Sequence, residues 1–222
     1  MATTLKAYRG FGMEGGTARW YDRITRKDMP EFRALAVRIA AAVRPGGEVL
    51  EIAPGPGFLS IELAKRGLSV RAVDISRTFV ELARRNAAAK NAQVRFDLGN
   101  AAALPLDDAS VDFVVCRAAF KNFSEPRKAL AEMLRVLRPG GQALIIDMRR
   151  DASMDGLRQY ADGLQGSRLN RWLVVFAFRF MLIKRAYPIE EFRRMAIDAG
   201  CANPLINTST IGFEAWMTKA AK

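Results

Sequence analysis

The residues best suited to chemistry are a glycine-rich turn and an acid that follows it. Residues 51–57 read EIAPGPG directly after an apolar run, and Asp74 closes a second apolar run 17 residues after Gly57. Glycine lets a backbone approach a ligand where a Cβ would collide. An acid at the tip of the second strand accepts hydrogen bonds from the two hydroxyls of a ribose. This spacing predicts a site for a cofactor with an adenosine end.

Short strands that alternate with helices must hold these residues. We predict strands at residues 48–53, 69–73, 93–97, 111–116 and 142–147, helices at residues 31–43, 57–66, 77–88, 125–137 and 189–200, and a final antiparallel hairpin. The alternation favours a parallel sheet with helices on both faces and a crevice at the carboxyl ends of the strands. Four polar residues lie at or just after such ends and are expected to meet: Glu51, Asp74, Asn100 and Arg117.

The segment between residues 99 and 147 indicates the class of cofactor more specifically. It reads GNAAALPLDDASVDFVVCRAAFKNFSEP and then RKALAEMLRVLRPGGQALIID. With the turn and the acid, it resembles the class I S-adenosylmethionine-dependent methyltransferases, in particular the small-molecule branch that includes the ubiquinone and menaquinone C-methyltransferases. The resemblance is strong over residues 45–150 and weak at both ends. A dinucleotide-binding turn would carry a third glycine where Ser60 stands, so a dehydrogenase fits less well.

The resemblance implies one α/β domain: a doubly wound, Rossmann-like sheet of seven strands, six parallel and one antiparallel, with helices on both faces and a helical cap. Within it we expect an N-terminal lid and first helix at residues 1–45 and a cofactor-binding core at 46–150. A helical cap insertion at 151–187 and the last helix with the hairpin at 188–222 complete the domain.

The resemblance also implies a set of residues around S-adenosyl-L-methionine. Glu51 stands where the family meets the cofactor's ammonium, Asp74 where it holds the ribose, and Asn100 where it reads adenine. Ala53 replaces the family's first glycine, and Tyr21 matches a lid tyrosine near the cofactor carboxylate. The full set of expected cofactor contacts is Tyr21, Glu51, Ala53, Gly55, Pro56, Gly57, Asp74, Ile75, Asn100, Ala101 and Arg117.

Catalysis must proceed without histidine, because the sequence has none. Lys121 and Asn122 stand where a common family string has two histidines. Lys121 could bind an anionic substrate, act as a base if burial lowers its pKa, or be a solvated loop lysine. The other candidates are Tyr21 or an acid such as Asp147 as the base, or no base at all. We expect direct displacement at the sulfonium methyl, with the substrate's own ionisation providing the nucleophile, and substrate contacts from Phe120, Lys121, Trp172, Phe176 and Arg179.

The segment 168–185 combines a nearly continuous apolar run with basic flanks. Three interpretations stay open: a cap that roofs an apolar substrate, a homodimer interface, or a helix lying in a membrane surface. The first is preferred, since insertions at this place usually build the substrate pocket in the family.

Composition narrows the function classes. The net charge of +12 is compatible with an anionic substrate, a membrane surface or nucleic acid, or with a basic face that is simply solvated. No secretory signal or spanning run is visible, and two cysteines form neither a disulfide framework nor a metal site, so we expect a cytoplasmic protein without a metal. The predicted partner is a small molecule and not a nucleic acid. An RNA methyltransferase and a non-catalytic cofactor-binding scaffold are the alternatives.

Overall fold

A computed structural model describes Tyr8, residues 12–162 and residues 183–221. Within them, one sheet of seven strands has the order β3-β2-β1-β4-β5-β7-β6. The strands are β1 (Glu48–Ile52), β2 (Ser69–Asp74), β3 (Val94–Leu98), β4 (Val111–Arg117), β5 (Leu137–Met148), β6 (Leu205–Thr208) and β7 (Gly212–Thr218). Strand β7 pairs antiparallel with both β5 and β6, and the other pairs are parallel. The predicted sheet of six parallel strands and one antiparallel strand is confirmed.

Helices cover both faces of the sheet, as predicted. The described helices are α1 (Gly15–Thr25), α2 (Met29–Ala42), α3 (Phe58–Ala64), α4 (Arg77–Ala88), α5 (Pro126–Val136), α6 (Met154–Asp162) and α7 (Ile189–Asp198). On one face, α2 and α3 pack on side chains of β1, β2 and β4, and α4 extends this layer over β2 and β3. On the other face, α5 and α7 enclose a core that includes the fully buried Phe192. This two-layer burial keeps the strand ends in a fixed arrangement.

Two details differ from the sequence prediction. Strand β5 begins at Leu137, which pairs with Val111, and the ladder resumes at Gln142 opposite Phe113. The RPGG stretch therefore makes a bulge within the strand instead of a separate turn, with Gly140 at a positive φ of 76°. Helix α1 was not predicted at all, because its two leading glycines and polar composition give a weak helical signal.

The described residues include only the two ends of the helical cap predicted at 151–187. Helix α6 and a 3₁₀ turn at Ile183–Arg185 lie at its two ends. The predicted substrate contacts Trp172, Phe176 and Arg179 lie outside the described residues. No helix in the described ranges is both long enough and apolar enough to cross a bilayer.

Candidate functional site

The carboxyl ends of four adjacent strands bring the predicted polar residues to one edge of the sheet. In the register, Ile52 of β1 pairs with Val73 of β2 and with Cys116 of β4. Asp74 and Arg117 are therefore the last residues of strands that flank the β1 turn. Asp147, near the end of β5, joins them from the next strand. The parallel register thus brings the predicted Glu51, Asp74 and Arg117 to the same edge of the sheet.

The turn after β1 is shaped by three residues with positive φ: Ala53 at 55°, Gly55 at 54° and Gly57 at 80°. A Cβ on Gly55 would meet nothing closer than 3.9 Å, the edge of the Tyr21 ring, so backbone conformation explains this glycine. A Cβ on Gly57 would come within 2.9 Å of both Ala83 and Phe96. Protein packing therefore explains why no side chain fits at Gly57, and its predicted contact with the cofactor stays a prediction.

Asp74 is buried and its two oxygens already accept backbone hydrogen bonds. Gly55 N donates to Oδ2 at 3.0 Å, and Ser76 N donates to Oδ1 at 2.8 Å. Burial raises the pKa of Asp74 to about 6, although these hydrogen bonds oppose the rise. Each carboxylate oxygen retains acceptor capacity for a further hydroxyl. Ser76, not Asp74, caps α4 by accepting from Phe79 N at 3.1 Å, so Asp74 is available to a ligand.

Glu51 is a buried carboxylate, 3% exposed, that pairs with no cation among the described residues. Ser60 Oγ donates a short hydrogen bond to its Oε2. Burial raises the pKa of Glu51 to about 7, and the Ser60 hydrogen bond only partly offsets this rise. Ser60 occupies the slot of the third dinucleotide-binding glycine, and its hydroxyl supports the acid. A buried carboxylate without a cation is costly when ionised, so the position suits a ligand that brings positive charge.

Helix α1 places Tyr21 over the glycine turn. The Tyr21 ring meets Phe79 edge-on, with centroids 5.8 Å apart. Burial raises the pKa of the Tyr21 phenol, while Arg117 opposes the rise. Trp20, its neighbour, is 57% exposed and points away from the site. The lid tyrosine expected from the resemblance therefore lies at the turn.

Two networks, both invisible in the sequence, fasten α1 to the site. Asn86 Nδ2 donates to Asp22 Oδ1 at 2.9 Å and to the Pro56 carbonyl at 3.0 Å. Glu14 accepts from the backbone N–H groups of Arg77 and Thr78 at 3.0 and 3.1 Å, which satisfies the first turn of α4. The lid, the turn and α4 therefore form one hydrogen-bonded unit.

The expected adenine end lies beyond β2 and β3. Leu98, opposite Asp74 in the register, is 45% exposed, and Ile75 is partly buried. Asn100 Oδ1 already accepts from Ala102 N at 2.9 Å, and Ala101 is partly buried. The amide oxygen of Asn100 thus has one remaining lone pair for a ligand.

Lys121 makes a buried ion pair, so the alternative of a solvated loop lysine is wrong. Its Nζ lies 2.7 Å from Asp147 Oδ1 and donates to the Ala118 carbonyl at 2.6 Å. Asp147 also accepts from the backbone N–H groups of Lys121 and Met148, at 2.8 and 2.7 Å. An ammonium that donates to a carboxylate has no lone pair to offer. The geometry therefore argues against Lys121 as a base and for a role in holding the loop.

The side chains of two other predicted residues are engaged with other parts of the protein. Phe120 is 1% exposed and its ring packs against Phe123, Tyr187 and Phe192 with centroids 5.3–5.7 Å apart. The prediction that Phe120 contacts substrate is corrected, since the ring belongs to the core. The Arg117 side chain turns onto α2 and binds Glu31 at 2.8 Å, while its charge still opposes the rise in the pKa of Glu51 and Tyr21.

Two residues near the crevice were missed. Tyr8 pairs with Phe123 in an isolated antiparallel bridge. Burial raises the pKa of its phenol, Arg185 opposes the rise, and Tyr21 and the carboxylates of Asp74 and Asp147 add to it. The Tyr8 phenol is therefore within electrostatic range of Asp74 at the end of β2 and of Asp147 near the end of β5. Asn122, 8% exposed, buries a side-chain oxygen that has no partner among the described residues. Neither has a sequence signal beyond the position of Asn122 in the histidine slot.

The core of the chain matches known proteins. Residues 50–145, from β1 into β5, match the family described as "Methyltransferase domain". The demethylmenaquinone methyltransferase of Deinococcus radiodurans is 42% identical over 124 residues, which cover 55% of this chain and 51% of that protein. The uncharacterized methyltransferase YcgJ of Bacillus subtilis is 32% identical over 146 residues, 62% of this chain and 58% of that one. The chain spans about half the length of the curated relatives it matches.

The fold match extends further than the sequence match. A structure from Methanococcus maripaludis, described as an S-adenosyl-L-methionine-dependent methyltransferase, superposes with a TM-score of 0.76 and covers 96% of this chain and 97% of that one. The identity of that pair is 23%, so this likeness carries the fold alone.

Proposed function

We propose that residues 50–145 form the core of a class I S-adenosylmethionine-dependent methyltransferase domain of the small-molecule type, and that the chain transfers a methyl group from S-adenosyl-L-methionine to a small quinone-type acceptor. The product of the cofactor would be S-adenosyl-L-homocysteine. The observation that carries the proposal is the pair of buried carboxylates, Glu51 and Asp74, at neighbouring strand ends. Neither forms an ion pair within the described ranges, and burial raises the pKa of both.

These residues fit the cofactor in charge and in hydrogen-bonding capacity. Glu51 would hold the ammonium, which supplies the cation that its buried carboxylate lacks. Asp74 would accept from the ribose hydroxyls with its free lone pairs, and Tyr21 would cover the methionine part above Gly55. For the adenine ring we assign an apolar and amide-lined end: Ile75, Leu98, Asn100 and Ala101.

For the acceptor we assign the side of the crevice formed by the loop after β4. The Lys121–Asp147 pair holds that loop from beneath, and Asn122 offers a buried oxygen without a partner. Tyr8, which bridges to the neighbouring Phe123, offers a phenol as a hydrogen-bond donor. An acceptor oxygen and a phenol donor suit a ring whose hydroxyl groups both donate and accept hydrogen bonds. A quinol has such hydroxyl groups, and the name of the Deinococcus radiodurans relative points to the same class.

Chemistry at this site depends on placement more than on proton transfer. When bound, S-adenosylmethionine supplies a methyl group on a positively charged sulfur, open to direct displacement by the acceptor. The protein has to align the acceptor with that methyl group and keep water out. Tyr21 and its lid contribute the exclusion of water. An acceptor that ionises readily, such as a quinol, needs no strong base, which agrees with a Lys121 that is held in an ion pair.

The test combines cofactor binding with methyl transfer. Asp74→Asn should weaken S-adenosylhomocysteine binding, measured by calorimetry, by at least about tenfold, because it replaces a charged hydrogen-bond acceptor. Asp97→Asn is the matched control, since Asp97 lies on the adjacent strand β3 and pairs with Arg71 and Arg95. Methyl transfer to a reduced naphthoquinone would then be followed by mass spectrometry. Equal binding by both variants would refute the cofactor site. Tight binding without transfer would refute the acceptor class.

A further inference from the structure

Helix α1 has two faces of different character. Its inner face, with Ala18, Asp22 and Thr25, is buried against α4 and the glycine turn. Its outer face and the 3₁₀ turn that extends it carry four exposed residues that fall on one side of the helix at helical spacing: Arg19, Trp20, Arg23 and Lys27.

The basic residues of the outer face have no partner among the described residues. Most arginines of the core bind carboxylates, such as Arg66 with Glu62 and Arg135 with Glu132. In contrast, none of the three basic residues on the outer face forms an ion pair or hydrogen bond within the described part of the chain. The acids of α1 and its extension lie elsewhere: Asp22 on the inner face and Asp28 at the end of the 3₁₀ turn.

Trp20 makes this face more than a solvated basic surface. It is 57% exposed, and it is the only aromatic among the large exposed hydrophobic residues of the described chain. Tryptophan rings favour the interface between lipid head groups and acyl chains. Arginine and lysine stems lie along apolar surface while their charges reach the head groups. A tryptophan flanked by unpaired basic residues on one helix face is the composition of an interfacial helix.

We propose that the outer face of α1 binds the surface of an anionic lipid bilayer. The helix would lie in the plane of the interface, with Trp20 at head-group depth and the three basic residues against anionic lipids. The patch is short, since 11 helical residues span roughly 17 Å. A strip of this length would reach few phosphates of a nucleic acid. The preference for lipid also rests on the quinone-type acceptor proposed above, because such molecules dissolve in bilayers.

This placement would couple the membrane to the crevice. The same helix carries Tyr21 over Gly55 and binds Asn86 and the Pro56 carbonyl through Asp22. A bilayer bound to the outer face would therefore hold α1, and with it Tyr21, in place over the site. An apolar acceptor would meet the crevice without crossing water.

The experiment measures vesicle binding by the full chain without cofactor or acceptor, so it is scored independently of methyl transfer. Vesicles of phosphatidylcholine with about 30 mol% phosphatidylglycerol should bind the chain, and pure phosphatidylcholine should not. Replacing Arg19 and Arg23 by Gln should weaken binding roughly 30-fold, at ~1 kcal/mol for each charge. Trp20→Ala should weaken it roughly tenfold through lost apolar burial.

Matched controls come from exposed residues on other elements. Arg194→Gln on α7 and Leu205→Ala on β6 remove an exposed charge and an exposed apolar side chain, and both should bind like the parent. The tryptophan emission should shift to shorter wavelength with anionic vesicles, and Trp20→Phe should abolish that shift. Unfolding midpoints of all variants would show that each is folded.

Three results would overturn the proposal. Vesicle binding that is equal in the outer-face variants and the controls would place the lipid contact elsewhere. Absence of binding to anionic vesicles would remove the contact altogether. Tighter binding to an RNA duplex, lost in the same outer-face variants, would assign this face to nucleic acid.

Discussion

Glu51 should make cofactor binding depend on pH across the neutral range. Burial raises the pKa of this carboxyl to about 7, so at pH 6 about one molecule in ten carries it ionised, and at pH 8 about nine in ten. If the ligand ammonium binds only the ionised form, affinity changes about tenfold between these pH values. Asp74, whose pKa burial raises to about 6, adds about twofold. The parent should therefore bind S-adenosylhomocysteine about 20-fold more tightly at pH 8, and Glu51→Gln only about twofold.

Calorimetry in two buffers of different ionisation enthalpy tests this directly. Ligand binding at pH 6 should release about 1.4 protons from the parent and about 0.5 from Glu51→Gln, given the two raised pKa values. Proton release that is identical in the two proteins would refute the assignment of Glu51 to the ammonium. A parent with no pH dependence would refute the reasoning from burial.

The same carboxyl should affect the stability of the free protein with the opposite trend. Its pKa is raised in the folded state from an ordinary value of 4.5 to about 7, so the unfolded chain releases the proton first. Stability from this group is present below pH 4.5 and is lost as the pH rises to 7, by about 3 kcal/mol at most. Urea unfolding should show Glu51→Gln gaining on the parent from pH 5 to pH 8. A constant difference would contradict this.

Two further predictions concern structure around the site. Lys121→Met should destabilise the chain by about 3–5 kcal/mol, because it leaves the buried Asp147 carboxylate without its cation. Adding Asp147→Leu should recover part of this loss, and an additive double variant in urea unfolding would argue against the pair. Gly57→Ala should cost more than Gly67→Ala by about 1–2 kcal/mol, since both have φ near 80° but only the Gly57 Cβ meets other atoms. Equal thermal midpoints would show that packing at Gly57 relaxes freely.

The sequence predicted those parts of the fold that local signals specify. Helix α4 was predicted with its observed ends because Ser76 caps it and the apolar residues follow a helical period. Asp74 was predicted at the crevice because a strand end fixes its place. These features depend on neighbours within a few residues.

The rest depended on contacts between distant segments. Helix α1 is held by Glu14 and Asp22, which bind residues more than 60 positions away. The burial of Lys121 follows from Asp147, 26 residues further on. Phe120 is apolar and adjacent to the crevice in sequence, and only the packing of α7 turns its ring into the core. Periodicity and motifs carry no information about such pairings.

The position of β7 between β5 and β6 has a consequence for synthesis on the ribosome. Strand β5 ends at Met148, and its partner β7 begins only at Gly212. At ~5–20 residues per second, the intervening chain takes roughly 3–13 s to be made. During that interval one edge of β5, with the apolar residues Leu144 and Ile145, has no partner strand, and such edges recruit other chains. The nascent protein therefore passes through a period in which the edge of β5 that β7 later covers is open to pairing with other chains.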